Sequence, residues 1–272
     1  MGIHAEAVKY GDAGEFSGIA MWPDNARLPL PAILVIQEAW GVDTHIEDVT
    51  RRFAQAGYVA LAPDLFSTKG ERPPAFTRER LAELQSFINK VPPAVWADPK
   101  VRDAELGKLP EALHLRVGES MSTLFGTIQK LDRYVPHLLA ATGFLRNELV
   151  ASRGQAVASV GFCMGGGLSA LLACHDAELR GAVIFYGSAP PTELIPHIRC
   201  PVVGFYGSND PRITGAVPAF SEEMQKHGKT FDAHIYEDAP HAFFNDNRPS
   251  YHVSSARDAW VRVLEFFRER LA

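Results

Sequence analysis

The chain has 272 residues, 46% hydrophobic and 22% charged, with a formal net charge of −5 and a pI near 6.1. This is the composition of an ordinary water-soluble fold, long enough to bury one sizeable core, and its mildly acidic balance excludes the electrostatic footprint of a nucleic-acid or anionic-membrane binder. The three cysteines, Cys163, Cys174 and Cys200, are odd in number and hold no C-x-x-C pair. That excludes a disulfide framework and a zinc cage and leaves at least one thiol unpaired within the chain.

The segment Met1-Gly2-Ile3-His4-Ala5-Glu6 lacks a basic stretch followed by an apolar run. No segment approaches the roughly 18 apolar residues that span a bilayer, so a cytoplasmic protein is expected. In chain order, residues 17–21 read as an antiparallel edge strand. Ala32–Ile36 and 58–62 are apolar runs bounded by turn residues, the pattern of buried strands. Between them, 45–56 has helical periodicity, with Glu47, Asp48, Arg51 and Arg52 on its polar side.

Some ninety residues then intervene before the next strand, far more than one crossover helix requires. Within them 77–90 reads as a helix stopped by Val91-Pro92-Pro93, 98–115 as charged and irregular, and 119–150 as one or two helices with Pro136 a break or kink. Strands follow at 156–162, 182–186, 202–206 and Phe231–Tyr236, with helical patterns at 166–173, 215–227 and, amphipathically, 250–271. Strands alternating with helices predict a single α/β domain over 1–272, with a mostly parallel central sheet flanked by helices. The helical insertion at about 77–150 leaves the carboxyl end of the second parallel strand, where sites of such sheets lie, and is expected to act as a lid.

The most informative stretch is Ala158-Ser159-Val160-Gly161-Phe162-Cys163-Met164-Gly165-Gly166-Gly167. An apolar strand runs through a glycine-flanked cysteine into a small-residue helix, the pattern of a nucleophile elbow carrying sulfur in place of oxygen. A cysteine at a helix N-terminus is favoured as thiolate, the reactive form. An isolated cysteine is otherwise a small buried hydrophobe, which is the expectation for Cys174 and Cys200.

A cysteine nucleophile needs a base and a group to orient that base. Asp210 lies in Gly207-Ser208-Asn209-Asp210-Pro211 after one predicted strand, and His241 in Glu237-Asp238-Ala239-Pro240-His241 after the next. The order Cys163, Asp210, His241 is the nucleophile, acid, histidine order of α/β-hydrolases. Asp238, three residues before His241, is the alternative acid, and as a turn residue Asp210 has a purely structural alternative. After the first parallel strand, in Gln37-Glu38-Ala39-Trp40-Gly41, the N–H of Ala39 with that of Met164 would form an oxyanion hole. Glu38 would then sit beside the thiol, its alternatives being a solvated carboxylate or a helix cap.

Together these residues resemble the dienelactone hydrolase (carboxymethylenebutenolidase) family of α/β-hydrolases. The resemblance rests on Gln37-Glu38-x-x-Gly41, Gly57-Tyr58-x-Ala60-x-Ala62-Pro63-Asp64-Leu65, Gly161-Phe162-Cys163-Met164-Gly165-Gly166, Gly207-x-x-Asp210 and Pro240-His241-x-Phe243. It implies a Cys163–His241–Asp210 triad, Glu38 holding the resting thiol and helping to generate the thiolate, and a small lactone or ester as substrate, with no cofactor and no metal. Archetypal members grip a substrate carboxylate with two arginines. Arg72 loosely matches the first; the second position holds Asn245, for which Arg248 is a candidate replacement. Trp40 and Phe243 complete the expected substrate-binding set. A broader esterase or thioesterase is the nearest alternative, a redox-sensing thiol protein on a hydrolase scaffold the more distant one. The partner expected is the small substrate, without nucleic acid or membrane, in a monomer or small homo-oligomer.

Overall fold

A computed structural model describes residues 2–96 and 98–272; Met1 and Ala97, the latter within the expected insertion, lie outside the described residues. Among these, eight strands form one sheet in the order β1-β2-β4-β3-β5-β6-β7-β8. They are β1 Ile3–Tyr10, β2 Phe16–Pro23, β3 Ala32–Ile36, β4 Val59–Pro63, β5 Val157–Phe162, β6 Ala182–Phe185, β7 Val202–Gly207 and β8 Phe231–Tyr236. β3 to β8 pair in parallel, while β2 runs antiparallel to both β1 and β4.

The predicted parallel strands are therefore present, but the expected edge strand, β2, is internal. The edge is β1, whose outer half leaves His4, Ala5 and Ala7 exposed; a strand with one poorly covered face carries little of the apolar signal by which strands are read.

Period-two alternation divides the central strands between two cores. Leu34, Ile36 and Leu61 face one side, Ile33, Val35 and Ala60 the other. The second face is covered by helices α1 (Thr44–Gln55) and α9 (Val253–Arg270) through Ile46, Val49, Phe53, Val263 and Phe267. Asp43 caps α1 by accepting from the Ile46 N–H at 3.0 Å, satisfying one of the donors a helix start leaves open.

The first face takes the segment between β4 and β5. It contains α2 (Arg78–Ile88), α3 (Pro99–Leu106), α4 (Glu111–Ile128) and α5 (Val135–Asn147). Residues 98–115, read as irregular, are largely helical, and the break expected at Pro136 is present as the start of a second helix. The reason is common to both: Pro99 and Pro136 occupy the first turn, where a missing N–H costs nothing, and Pro110 stands immediately before α4. Leu81, Leu84, Val117, Met121, Leu124 and Leu138 from this segment join the same core as Leu34 and Leu61. Helix α6 (Met164–His175) follows β5. A short helix, α7 (Pro211–Thr214), precedes α8 (Val217–Lys226), which is the helix predicted at 215–227. Among the described residues no helix is long and apolar enough to cross a membrane.

Because Leu84 is fully buried in that shared core, Leu84→Ala should lower a single unfolding transition by about 2–5 kcal/mol. Chemical denaturation followed by fluorescence and far-UV circular dichroism tests this; a separate early transition, with the remainder unchanged, would show that the inserted helices fold apart.

Candidate active site

A parallel sheet aligns the carboxyl ends of its strands on one edge, so residues remote in sequence converge there. Glu38 and Ala39 follow β3, Cys163 follows β5, Tyr186 follows β6, Asp210 follows β7 and His241 follows β8. Cys163 occupies the turn between β5 and α6 with φ 53° and ψ −112°, a left-handed conformation that costs a non-glycine residue about 1–3 kcal/mol and persists only when its surroundings impose it. Here the Cys163 N–H donates to the Phe185 carbonyl at 3.0 Å, and the N–H groups of Gly166 and Gly167 donate to the Cys163 carbonyl at 3.0 and 3.3 Å. A Cβ at Gly161 would overlap the Gly165 carbonyl, and one at Gly165 would overlap the carbonyls of Ile36 and Gln37. The elbow can close, and α6 can abut the end of β3, only because both side chains are absent.

The turn brings the thiol to His241: Sγ lies 3.2 Å from Nε2. On the other side of the ring Nδ1 is 2.5 Å from Oδ2 of Asp210, which is 8% exposed. Burial opposes a charge on His241, but a thiolate at Cys163 and the Asp210 carboxylate outweigh it, raising the imidazole from its usual 6.5 to about 10. Asp238 is exposed, with φ 59°, and its backbone pairs with Ser208 and Asn209. Asp210, not Asp238, is therefore the carboxylate on His241.

Glu38 reaches the same corner and is 1% exposed. The resemblance led to the expectation of a contact with the thiol; instead Oε1 accepts from the Tyr186 hydroxyl at 3.1 Å and Oε2 from Asn245 Nδ2 at 2.8 Å. Burial, reinforced by the charges of Glu38 and Cys163, holds the Tyr186 phenol well above its usual value, so it remains a donor. Sequence reasoning missed Tyr186, whose only signal was its place as the last residue of the strand predicted at 182–186, one residue beyond the end of the observed strand. It saw Asn245 merely as a lost arginine, since the contact with Glu38 joins residues 207 apart in sequence.

Met164, first residue of α6, and Ala39 carry N–H groups that donate to no backbone carbonyl among the described residues, as a helix start requires for the former. Of the expected substrate contacts, Phe243 is corrected: it is fully buried, its ring against Phe185, Tyr186 and Tyr236, so it supports the site from beneath. Trp40 is 4% exposed and lies under the Arg248 guanidinium, whose carbon is 5.5 Å from the ring centroid. Arg248 donates from Nη2 to Asn89 Oδ1 at 3.0 Å and pairs with no carboxylate among the described residues. Arg72, beside Gly41, has its charge engaged by Asp64 at 2.7 Å. Cys174 and Cys200 are buried, and desolvation pushes both thiols up to about 12; Cys163 is the partly exposed cysteine. Two surface clefts of about 420 and 210 Å³ are lined by neither Cys163 nor His241; the polar geometry locates the site.

A partly exposed thiol joined through an imidazole to a buried carboxylate, at the edge of this sheet, defines the α/β-hydrolase class. The model of the dienelactone hydrolase family matches residues 16–271, and the chain belongs to that family. A "Putative carboxymethylenebutenolidase" of Saccharolobus solfataricus is 33% identical, over 94% of this chain and 95% of its own. A protein of the same name from Escherichia coli K12 is 28% identical, over 91% and 80%. The crystal structure of a "Putative Dienelactone Hydrolase" from Klebsiella pneumoniae is 28% identical and superposes with a TM-score of 0.64, covering 98% of this chain and 99% of that one. The dienelactone hydrolase-like promiscuous phosphotriesterase P91, from metagenomic libraries, is 20% identical and shares the fold with a TM-score of 0.67 over the full length of both chains.

An NMR titration of His241 should find its imidazole protonated well past the ordinary 6.5 and releasing its proton toward about 10. Since negative partners raise that value, Cys163→Ala should move the midpoint down by more than about one unit; an unmoved midpoint would disconnect the two side chains.

Proposed function

We propose that the protein hydrolyses small carboxylic esters and lactones with Cys163 as nucleophile, His241 as general base and acid, and Asp210 as the group that orients and stabilises the imidazolium. The observation that carries this reading is the continuous hydrogen-bonded chain from Sγ through His241 to the buried Asp210 carboxylate. The thiol gives its proton to Nε2, and the thiolate attacks the ester carbonyl. The developing oxyanion is met by the N–H groups of Ala39 and Met164, which donate to no backbone carbonyl among the described residues. Collapse expels the alkoxide, which takes the proton from Nε2 and leaves an acyl-thioenzyme. Water then gives a proton to Nε2 while its oxygen attacks the thioester, and the acid leaves as sulfur takes the proton back. A thiolate is a weaker base than an alkoxide, so substrates whose alcohol leaves readily, such as enol lactones, suit it best.

The charges bear on substrate class. Arg72 is already neutralised by Asp64, so Arg248, without a carboxylate partner among the described residues, is the cation available to an acidic substrate. With one such cation in place of two, neutral esters and thioesters compete with carboxylate-bearing lactones, which favours the broader esterase as the second reading; a rate comparison between an acidic lactone and its neutral ester analogue separates them. Residues 77–150 act as a lid of the same domain in this account, with the Arg248–Asn89 hydrogen bond tying the end of α2 to the loop that carries His241. A redox-sensing thiol has no use for the Asp210–His241 pair, and is the reading to adopt if peroxide reversibly oxidises Cys163 while no ester is turned over.

Cys163→Ala should abolish turnover of aryl esters and lactones with the fold retained, and His241→Gln should lower kcat by about a thousandfold or more. Steady-state kinetics beside circular dichroism check both; undiminished turnover in Cys163→Ala would remove the thiol from the mechanism.

A further inference from the structure

Glu38 is a buried carboxylate at the elbow, and its partners decide what it can do there. A buried carboxylate with an unfilled oxygen takes whatever donor is near, since leaving it unpaired is costly. Here both oxygens are filled by neutral donors, Tyr186 and Asn245. Both donors are themselves fixed. Tyr186 has φ 40° and 1% exposure, with its ring edge-on to His241 at 5.1 Å. Asn245 is fully buried, and its Oδ1 accepts the Asn247 N–H at 3.1 Å, which orients the amide so that Nδ2 is the end facing Glu38. The loop that carries it is pinned to α1, through Asn247 Nδ2 on Thr44 Oγ1 at 3.3 Å and through Asp246 on Arg52 at 2.5 Å. The thiol, for its part, has His241 as its hydrogen-bond partner.

We propose that Asn245 is a positioning residue: together with Tyr186 it holds the Glu38 carboxylate off the thiol, so that the proton of Cys163 passes to His241 alone. The step is an internal transfer from Sγ to Nε2 that leaves a thiolate and an imidazolium and consumes nothing else. Releasing Glu38 would give the S–H a competing acceptor and keep the proton on sulfur. The proposal rests on Cys163 being the nucleophile, but its test does not require turnover.

The test is the rate at which iodoacetamide alkylates Cys163 in the full-length protein at pH 7, read by peptide mass spectrometry as an S–C bond forms and iodide leaves. Asn245→Leu should slow it about tenfold or more, the size expected of one hydrogen bond to a charged group, with the circular dichroism spectrum unchanged. Adding Glu38→Gln to that variant removes the charge that retains the proton and should return the rate to within about threefold of wild type, a recovery that a merely structural role of Asn245 would not give. An unchanged rate in Asn245→Leu, or a slowing that Glu38→Gln does not reverse, overturns the proposal. Should Asn245→Leu fail to fold, Tyr186→Phe, which removes only the second donor, must slow alkylation likewise; an unchanged rate there overturns it too. Turnover persisting in Cys163→Ala would instead defeat the hydrolase reading, a separate result.

Discussion

The elbow at Cys163 is the constraint on which the site depends. A side chain in a strand points to one face of the sheet or the other, and neither direction leads to His241. The left-handed backbone at Cys163 turns the thiol out over the sheet edge instead, and it is sustained by a hydrogen bond to β6, by the first turn of α6 and by the missing Cβ atoms of Gly161 and Gly165. The same close approach sets the N-terminus of α6 against the end of β3, the strand that Glu38 and Ala39 follow. Strain is accepted at the elbow, and the ends of five strands meet around it.

Electrostatics then sorts the groups gathered there. Asp210 and Glu38 are both buried carboxylates within one corner, yet their partners differ: the first meets an ionisable ring, the second two neutral donors. That difference separates a group able to support proton transfer from one held in place. The cations are divided in the same way, Arg72 paired with Asp64 and Arg52 with Asp246 and Asp48, while Arg248 lies over an aromatic ring without a carboxylate among the described residues. Asp246, kept well below the usual carboxylate range by its contacts with His45 and Arg52 despite partial burial, anchors to α1 the loop that supplies both His241 and Asn245.

Much of this was legible in the sequence where local chemistry dictates the outcome. Strands β3 to β7 are continuous apolar runs because both of their faces are buried, and the glycines around Cys163 stand where only glycine fits, so these elements could be read and the order of Cys163, Asp210 and His241 followed. β1 was not legible because its exposed half carries no apolar pattern. The helix beginning at Pro99 was missed, and Pro136 could be read only as a break or kink, because proline halts a helix in its interior and favours one at its start, and composition alone does not say which applies. Phe243 looked like a site residue from its place beside His241, but its ring is packed in the core against Phe185, Tyr186 and Tyr236, partners remote in sequence or on other strands. The partnership of Glu38 with Tyr186 and Asn245 arises only when the ends of β3 and β6 and the loop after β8 meet in space.

The central claim, that Cys163 carries the acyl group, is tested most directly by rapid acid quench of the protein with an activated aryl ester, followed by mass spectrometry of the intact chain and its peptides. One acyl group per chain is expected within the first turnover, located on the peptide containing Cys163 and discharged by hydroxylamine as a thioester would be. An acyl group found on another residue, or turnover with no acyl-enzyme even when deacylation is slowed by His241→Gln in single-turnover conditions, would contradict it.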